Sequence, residues 1–464
     1  MQNVRSGQHI QMNPATLGPS GFLKPREDTG LQPSLFPGGM PSAPTPRSNG
    51  RANRLEARDR GFHDWYRFVL SFPAHLVRDY IRGFGLSEKD TILDPFCGTG
   101  TTLVEAKLHG IPSIGIEANT MAHFACSVKV DWFINPDELL DHAAKIAKKA
   151  EKIIESETAP RTLEKEQFAL LLKNSISQKP LHKCLILLEE IKGAKNSPYR
   201  QHELLAFAKS LVFFDSNLHF GPEVGVRRTK KHDAHVVENW LVEIHKMAND
   251  LRQSCHGNVI DTSSIVHHAD ARQAAELLAP QSISAIFTSP PYPNEKDYTR
   301  TTRLESVLLG FIKNKEDLRN LKKSLLCSNT RNAYRCNDDD KWVEDHEKIQ
   351  TLAEEIEKRR ISMGKTSGFE RQYGRVTKLY FGGMARHLAE LRTLLKPGAY
   401  LGYVVGDQAS YLQVMIHTGQ LLAEIAQSLG YRVVGVDLFR TRLATTTRQQ
   451  IREEVVVLQW PQNP

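Results

Sequence analysis

The sequence predicts an α/β fold: one mostly parallel sheet, interrupted twice by mainly helical insertions and preceded by a disordered tail. Three observations predict it. A strand–turn–helix–strand pattern occupies residues 91–118. Short apolar, strand-like runs resume only after residue 260. Residues 1–60 are rich in Pro, Gly, Ser and Asn, with few periodic apolar positions.

Such a tail cannot bury enough apolar surface to offset the entropy of ordering. Order is expected to begin near Phe62-His63-Asp64-Trp65-Tyr66 and to run through an amphipathic stretch ending around Ile81. Thr91–Phe96 reads as a short apolar strand, followed by the turn Cys97-Gly98-Thr99-Gly100. Thr101–His109 reads as a helix stopped by Gly110, and Ser113–Ala118 as a second strand. A βαβ unit of this kind implies parallel strands joined by a right-handed crossover. From 135 to about 255 the pattern is helical, including Pro136–Ser156 and His235–Gln253, with a basic knot at Arg227-Arg228-Thr229-Lys230-Lys231. Strands are expected again at Ile265–Ala271, Ala285–Ser289, Ala399–Gly406, Tyr431–Phe439 and Glu454–Gln459, with a second polar, helical insertion over 313–372.

The 464 residues, 40% of them hydrophobic, suffice for one large or two ordinary domains. No apolar run approaches the roughly 20 residues needed to cross a bilayer. The N-terminus lacks the charged start and apolar stretch of a secretory signal. Six cysteines (Cys97, Cys126, Cys184, Cys255, Cys327, Cys336) form no C-x-x-C pair. That spacing suits neither a disulfide framework nor a zinc site, and it fits a reducing cytoplasm. The net charge of +8 favours a polyanionic partner, because neutralising phosphates supplies much of nucleic-acid affinity.

Two strings carry chemistry. In Asp94-Pro95-Phe96-Cys97-Gly98-Thr99-Gly100-Thr101-Thr102, small residues between a strand and a helix let a ligand approach the backbone and unpaired N–H donors. A bare G-x-G occurs in many turns that bind nothing; its place between strand and helix gives it weight. Glu117, ending the second strand, reads either as a solvated strand-end carboxylate or as an acceptor for two ribose hydroxyls. The string lacks the G-K-[ST] of a phosphate loop and the third glycine of a dinucleotide site, so another ribose-bearing ligand is favoured. Asp270, after the third strand, is placed to accept from an adenine amino group. The neighbouring His267 and His268 point to opposite faces of their strand and are read as structural or surface residues, so no metal site is expected.

The second string, Thr288-Ser289-Pro290-Pro291-Tyr292, follows the apolar run Ala285–Phe287. Two prolines there give a rigid bend with free carbonyls. An exocyclic amino group on a base is a poor nucleophile, because its lone pair is delocalised into the ring. Acceptors such as the Ser289 hydroxyl and the Pro290 carbonyl would hold its hydrogens and draw the nitrogen towards sp³. Tyr292 offers a face on which a base extruded from a duplex could stack.

With both strings in one alternating pattern, the chain resembles the amino-type DNA methyltransferases, which act on cytosine N4 or adenine N6. Asp94–Thr102 resembles their cofactor loop and Thr288–Tyr292 their catalytic motif. Phe72-Pro73-Ala74 resembles the segment that closes over the methionine part of the cofactor. Asn294–Leu304 resembles the stretch after the catalytic motif in one branch, and Tyr380–Leu395 with Lys396-Pro397-Gly398 and Val404-Val405-Gly406-Asp407 resembles that branch's fifth strand and its lead-in helix. The likeness covers about residues 60–135 and 260–460. It implies a Rossmann-like, seven-stranded sheet closed by an antiparallel hairpin, with a catalytic domain formed by 61–134 and 260–464. The insertion 135–259 is then placed for target recognition. It also implies S-adenosylmethionine as cofactor, held by Phe72, Asp94, Phe96, Gly98, Gly100, Glu117 and Asp270, with Ser289, Pro290, Pro291 and Tyr292 holding the target amine. The family often has Asp or Asn where this chain has Ser289, and serine leans towards cytosine N4.

Arg227, Arg228, Lys230 and Lys231, with Lys322, Lys323, Arg331 and Arg335, are the candidates for contact with double-stranded DNA, the alternative being a plain solvated surface, which charge runs usually are. A cognate restriction endonuclease is a further expected partner. Methylation at cytosine C5 would need a thiolate, usually in a Pro-Cys pair, and the chain has none. The rival readings are an adenine-N6 enzyme, an RNA or tRNA amino methyltransferase, and a non-catalytic nucleic-acid-binding protein. The last would predict damage to one of the two strings, and both are intact.

Overall fold

The computed structural model describes residues 59–67, 71–221, 223–254, 259–443 and 450–462. The tail predicted to be disordered lies, up to residue 58, outside the described residues, as does Cys255. Among the described residues nine strands are formed: β1 (Ile92–Asp94), β2 (Ser113–Ile116), β3 (Leu218–Phe220), β4 (Val224–Val226), β5 (Ser264–His267), β6 (Ile283–Thr288), β7 (Leu395–Gly406), β8 (Arg432–Leu443) and β9 (Gln450–Gln459). Seven make one sheet in the order β5-β2-β1-β6-β7-β9-β8. The first five are mutually parallel; β9 pairs antiparallel with both β7 and β8, closing the sheet as the resemblance implies.

Strand alternation sorts the apolar residues onto two faces. Leu93, Ile286, Leu401, Tyr403, Val456 and Leu458 turn one way, into a core shared with helices Tyr373–Leu391 and Thr418–Ser428. Ile92, Ala285, Phe287, Val404, Val455 and Val457 turn the other way, against Leu76, Val77, Tyr80 and Ile81 of helix Ala74–Gly83. Because both faces are covered, β1 and β6 bury nearly every side chain, which is why they read as continuous apolar runs.

Several elements differ from the sequence reading; β8 runs on to Leu443 and β9 starts at Gln450, each beyond its expected end. Strand β5 stops at His267, so Asp270 caps a short turn, accepting from the Arg272 N–H, and is not part of the strand. Strand β7 starts at Leu395 and takes in Lys396-Pro397-Gly398. A register shift between the pairs Ile283–Leu395 and Ala285–Tyr400 relieves the ladder where Pro397 has no N–H to give. The helix leading into β7 spans Tyr373–Leu391, earlier at both ends than Tyr380–Leu395. The stretch 135–255 has its helices, Pro136–Ser156 and Val236–Ser254 among them, packed around Leu139, Ala143 and Trp240. It also holds the small hairpin β3–β4, whose three-residue strands are too short to show a period of two.

In the second insertion, the segment Asp339–Val343 lies across helix Tyr373–Leu391. Gly382 makes this approach feasible: a Cβ there would stand 1.9 Å from the Asp339 carbonyl oxygen.

Candidate active site

The parallel pairing of β1 with β6 brings the ends of the two informative strings side by side. Thr288 Oγ1 donates to Asp94 Oδ1 at 2.6 Å, joining them through a buried hydrogen bond. Outside these carboxyl ends lies a cavity of about 330 Å³, the usual place for a ligand in an open α/β sheet. Phe72, Phe96, Gly98, Glu117 and Asp270 line one part of it, and Ser289, Pro290, Pro291 and Tyr292 another. Asp94 and Gly100 lie behind the wall.

Each placement has a local cause. The chain turns sharply after β1 because Gly98 and Gly100 have φ of 52° and 84°, in the left-handed region that favours glycine. At Gly100 a Cβ would also stand 2.6 Å from Cys126 Sγ. The Gly98 N–H donates to Glu117 Oε2 at 2.8 Å and the Asn119 N–H to Oε1 at 2.7 Å. Glu117 is thereby fixed with one lone pair on each oxygen still open. Burial pushes its carboxyl up to about 7; the N–H groups of Asn119, Gly98 and Ala118 pull the other way, and the nearby Asp94 adds to the rise. Asp94, wholly buried, is pushed up to about 6 by burial, against the Thr288 and Thr102 hydroxyls and the Phe96 N–H. Its Oδ2 has no hydrogen-bond partner among the described residues.

Asp270 is more heavily engaged than its sequence position implies. The Arg272 Nε donates to both of its oxygens at 3.0 Å, and the other arm of Arg272 reaches Asp339 in the second insertion. Arg272 is therefore a clamp between two carboxylates, its pKa held above the usual value by them despite burial.

Ser289 Oγ donates to the Val404 carbonyl at 3.0 Å. A hydroxyl has one proton and two lone pairs, so this bond commits the proton and leaves the oxygen an acceptor. Among the described residues no donor takes the Pro290 carbonyl. Tyr292 packs against Gly406, where a Cβ would lie 3.1 Å from Cε2 of the ring. Burial and the carboxylate of Glu453 hold its phenol protonated, well above the ordinary range. Cys97 is 5% exposed, and burial beside Cys126 pushes its thiol far up, as befits a packing residue.

The structure adds residues that sequence reasoning missed. Lys129 is buried and donates to the Thr99 carbonyl at 2.7 Å, pinning the glycine turn from behind; burial lowers its ammonium to about 7. Tyr298 lines the cavity between its two parts, close enough to feel both Glu117 and the Tyr292 backbone, and burial raises its phenol to about 12. Lys296, Arg440, Arg442 and Glu453 complete the mouth. Tyr298 and Lys296 sit in the Asn294–Leu304 string, a signal present but not pursued. Arg440, Arg442 and Glu453 come from β8 and β9, with no local pattern to mark them.

The candidate DNA contacts divide. Lys322 is part of the cavity wall, its ammonium 2.7 Å from Asp297. Lys323 and Arg335 are exposed. Arg331 donates to the Glu295 carbonyl and stacks near Phe369. Arg227 donates to the Leu218 carbonyl, Lys230 to those of Arg227 and Arg228, and Lys231 to that of Phe214. These cations follow the hairpin β3–β4, whose Phe220, Gly221, Glu223 and Val224 share a small pocket with Glu295, Lys296, Tyr298 and Arg331. No helix among the described residues is long and apolar enough to cross a membrane.

Residues 46–124 match the family described as a DNA methylase of the N6/N4 type. Over 439 residues the chain is 27% identical to the type II methyltransferase M.BsoBI of Geobacillus stearothermophilus, covering 84% of this chain and 83% of that protein. Over 417 residues it is 24% identical to the type II methyltransferase M.AvaI of Nostoc sp. (strain PCC 7120), covering 83% and 82%. The M.AvaI of Anabaena variabilis matches to the same extent. With the glycine turn, the acidic strand end and the Ser-Pro-Pro-Tyr bend gathered around one cavity, the chain is similar to the amino-type DNA methyltransferases in both its site and these matches.

Proposed function

We propose that the chain is a type II methyltransferase that moves the methyl group of S-adenosylmethionine to the N4 amino group of a cytosine in double-stranded DNA, alongside a restriction endonuclease of the same target. The observation that carries this reading is the Ser289–Val404 hydrogen bond, which orients the serine oxygen as an acceptor beside the free Pro290 carbonyl. Serine where the family often has an acid or amide supports cytosine, with adenine N6 the second reading.

The residues fit the cofactor. The open lone pairs of Glu117 suit the two ribose hydroxyls, the glycine turn leaves room at Gly98, and Asp270 lines the same part of the cavity, its carboxylate held in place by Arg272. When bound, this group supplies an electrophilic methyl carbon on a sulfonium. Ser289 and Pro290 hold the two amine hydrogens and so localise the nitrogen lone pair, while Tyr292 stacks on the base. Catalysis then comes from positioning and electrostatics, with no covalent enzyme adduct. The exposed cations Arg227, Arg228, Lys230, Lys323, Arg331 and Arg335 are proposed to meet the DNA backbone.

The test is methyl transfer from isotope-labelled cofactor to random-sequence duplex DNA, with tRNA in parallel, followed by mass spectrometry of the digested nucleosides. Label in N4-methylcytosine is expected. Label in N6-methyladenine would replace the base assignment, and label only in tRNA would overturn the substrate.

Glu117 makes cofactor affinity depend on pH. Its carboxyl titrates near 7 in the free protein, and only the ionised form accepts from both hydroxyls. Affinity for S-adenosylmethionine should therefore hold above about pH 7.5 and fall below 7, approaching tenfold per pH unit. Glu117→Gln should weaken binding about 10–100-fold, the worth of hydrogen bonds to a charged acceptor, and flatten the profile. Calorimetric titration between pH 5.5 and 8.5 measures both; a wild-type profile with no slope would refute this role.

A further inference from the structure

The mouth of the cavity gathers like charges. Lys296, on the loop after the catalytic motif, and Arg440 and Arg442, on β8, all line it; Glu453 of β9 bonds to both arginines, Asp297 of the same lining is held by Lys322, and Glu223 reaches Lys296 only through its field. Glu453 is already spoken for: Arg440 donates to both of its oxygens at 2.6 and 3.0 Å, and Arg442 Nε to one at 3.2 Å. Lys296 is half-buried, and no carboxylate or carbonyl among the described residues accepts from its ammonium. Its pKa is lowered, first by burial and then by Arg442, with Glu223 and Glu453 opposing weakly. A fold gains nothing from pressing an unpaired ammonium towards a guanidinium in a half-desolvated rim, since like charges there repel. An anion between them would reverse the sign. Arg442 is the part of the cluster that can reach one, with its side chain 41% exposed and its Nε end anchored by Glu453.

The position selects the anion. A base that enters the cavity far enough to reach Ser289 leaves its own sugar-phosphate at the mouth. We propose that Lys296 and Arg442 form a binding site for the phosphodiester that flanks the extruded nucleotide, with Glu453 and Arg440 as positioning residues that aim Arg442. This rests on the reading of the chain as a methyltransferase of duplex DNA. It differs from the surface cations in kind. Those would meet the duplex backbone at large, whereas this pair is met only by the nucleotide that has left the stack.

The test uses the full chain, with the variants Lys296→Gln, Arg442→Gln and Lys296→Arg, on random-sequence duplex DNA over a range of salt. Methyl transfer gives kcat/KM for DNA, and a separate calorimetric titration gives S-adenosylmethionine affinity. Each glutamine variant is expected to lower kcat/KM about tenfold and to reduce the log–log salt slope by about one unit, the share of one neutralised phosphate. Cofactor affinity should stay unchanged, and Lys296→Arg should recover most of the loss. Unchanged kcat/KM and slope in both glutamine variants would overturn the site alone. So would a loss of cofactor affinity equal to the loss in kcat/KM, or failure of the arginine to restore. No transfer to DNA by the unsubstituted chain would overturn the underlying reading and the site with it.

Discussion

Gly382→Ala should destabilise the chain by about 3 kcal/mol, whereas a glycine-to-alanine change inside a helix ordinarily stabilises by roughly 0.5–1 kcal/mol. The reversal follows from what the new methyl group meets. Gly382 lies within helix Tyr373–Leu391, and its Cβ would fall 1.9 Å from the Asp339 carbonyl oxygen and 2.5 Å from its carbon. Neither is the tip of a flexible side chain, so the segment Asp339–Val343 must move as backbone. Its movement carries a second cost, because Asp339 holds one arm of Arg272, whose other arm holds Asp270 in the cavity wall. Gly193→Ala is the control: that residue also lies in a helix, and nothing stands within 4 Å of its added Cβ. Urea denaturation of the two variants and the parent should show a lower midpoint for Gly382→Ala and an equal or higher one for Gly193→Ala. A Gly382→Ala midpoint at or above the parent's would show that the close approach does not constrain the fold.

Ser289→Ala should lower kcat for methyl transfer by about 10²–10³-fold, in line with the loss of one pre-aimed polar group at a reacting centre. The alanine removes the acceptor and leaves the Val404 carbonyl without the serine hydroxyl. Cofactor affinity should be unaltered, since Gly98 and Glu117 make their hydrogen bonds independently of Ser289. Tyr292→Ala should raise KM for DNA as well as lower kcat, because base stacking on an aromatic ring is worth about 1–3 kcal/mol and the ring also fills the space beside Gly406. Tyr292→Phe keeps the ring and should stay within a few-fold of the parent. If the two groups grip one nucleotide together, the double alanine variant will lose less than the product of the single losses. Steady-state kinetics with saturating cofactor decide it, and an Ser289→Ala enzyme with parental kcat would remove the serine from the chemistry.

What could be read from the sequence was local. The glycine turn, the Ser-Pro-Pro-Tyr bend and the apolar runs of β1, β2 and β6 each announce themselves within about ten residues, because strand period, turn chemistry and helix stops are short-range signals. The cavity-lining positions of Phe72, Glu117 and Asp270 also follow from their places next to such elements. What stayed hidden depended on contacts between distant segments. Asp94 is a cofactor-binding candidate by its place in the string, and only the fold shows its carboxylate set behind the cavity wall, accepting from the Thr288 hydroxyl and the Phe96 N–H. Arg272 and Asp339, 67 positions apart, show no mutual spacing that a linear reading could weigh. Lys322 read as one charge in a basic run, yet Asp297 draws it into the cavity wall. Arg440 and Arg442 alternate along an ordinary edge strand and acquire their meaning only from Glu453 across the ladder.

The position of β9 bears on the order in which a chain leaves the ribosome. The strand formed last in sequence lies between β7 and β8, so it completes the sheet from the inside of its antiparallel end. Until residues 450–459 have emerged, β7 has an unsatisfied edge, β8 has no neighbour to pair with, and Arg440 and Arg442 lack the carboxylate that aims them. Domains otherwise tend to fold from the N-terminus as they are made. Here the glycine turn and the Ser-Pro-Pro-Tyr bend can be in place long before the rim of the cavity they line, and a nascent or C-terminally clipped chain would carry the two strings without the β8–β9 wall beside them.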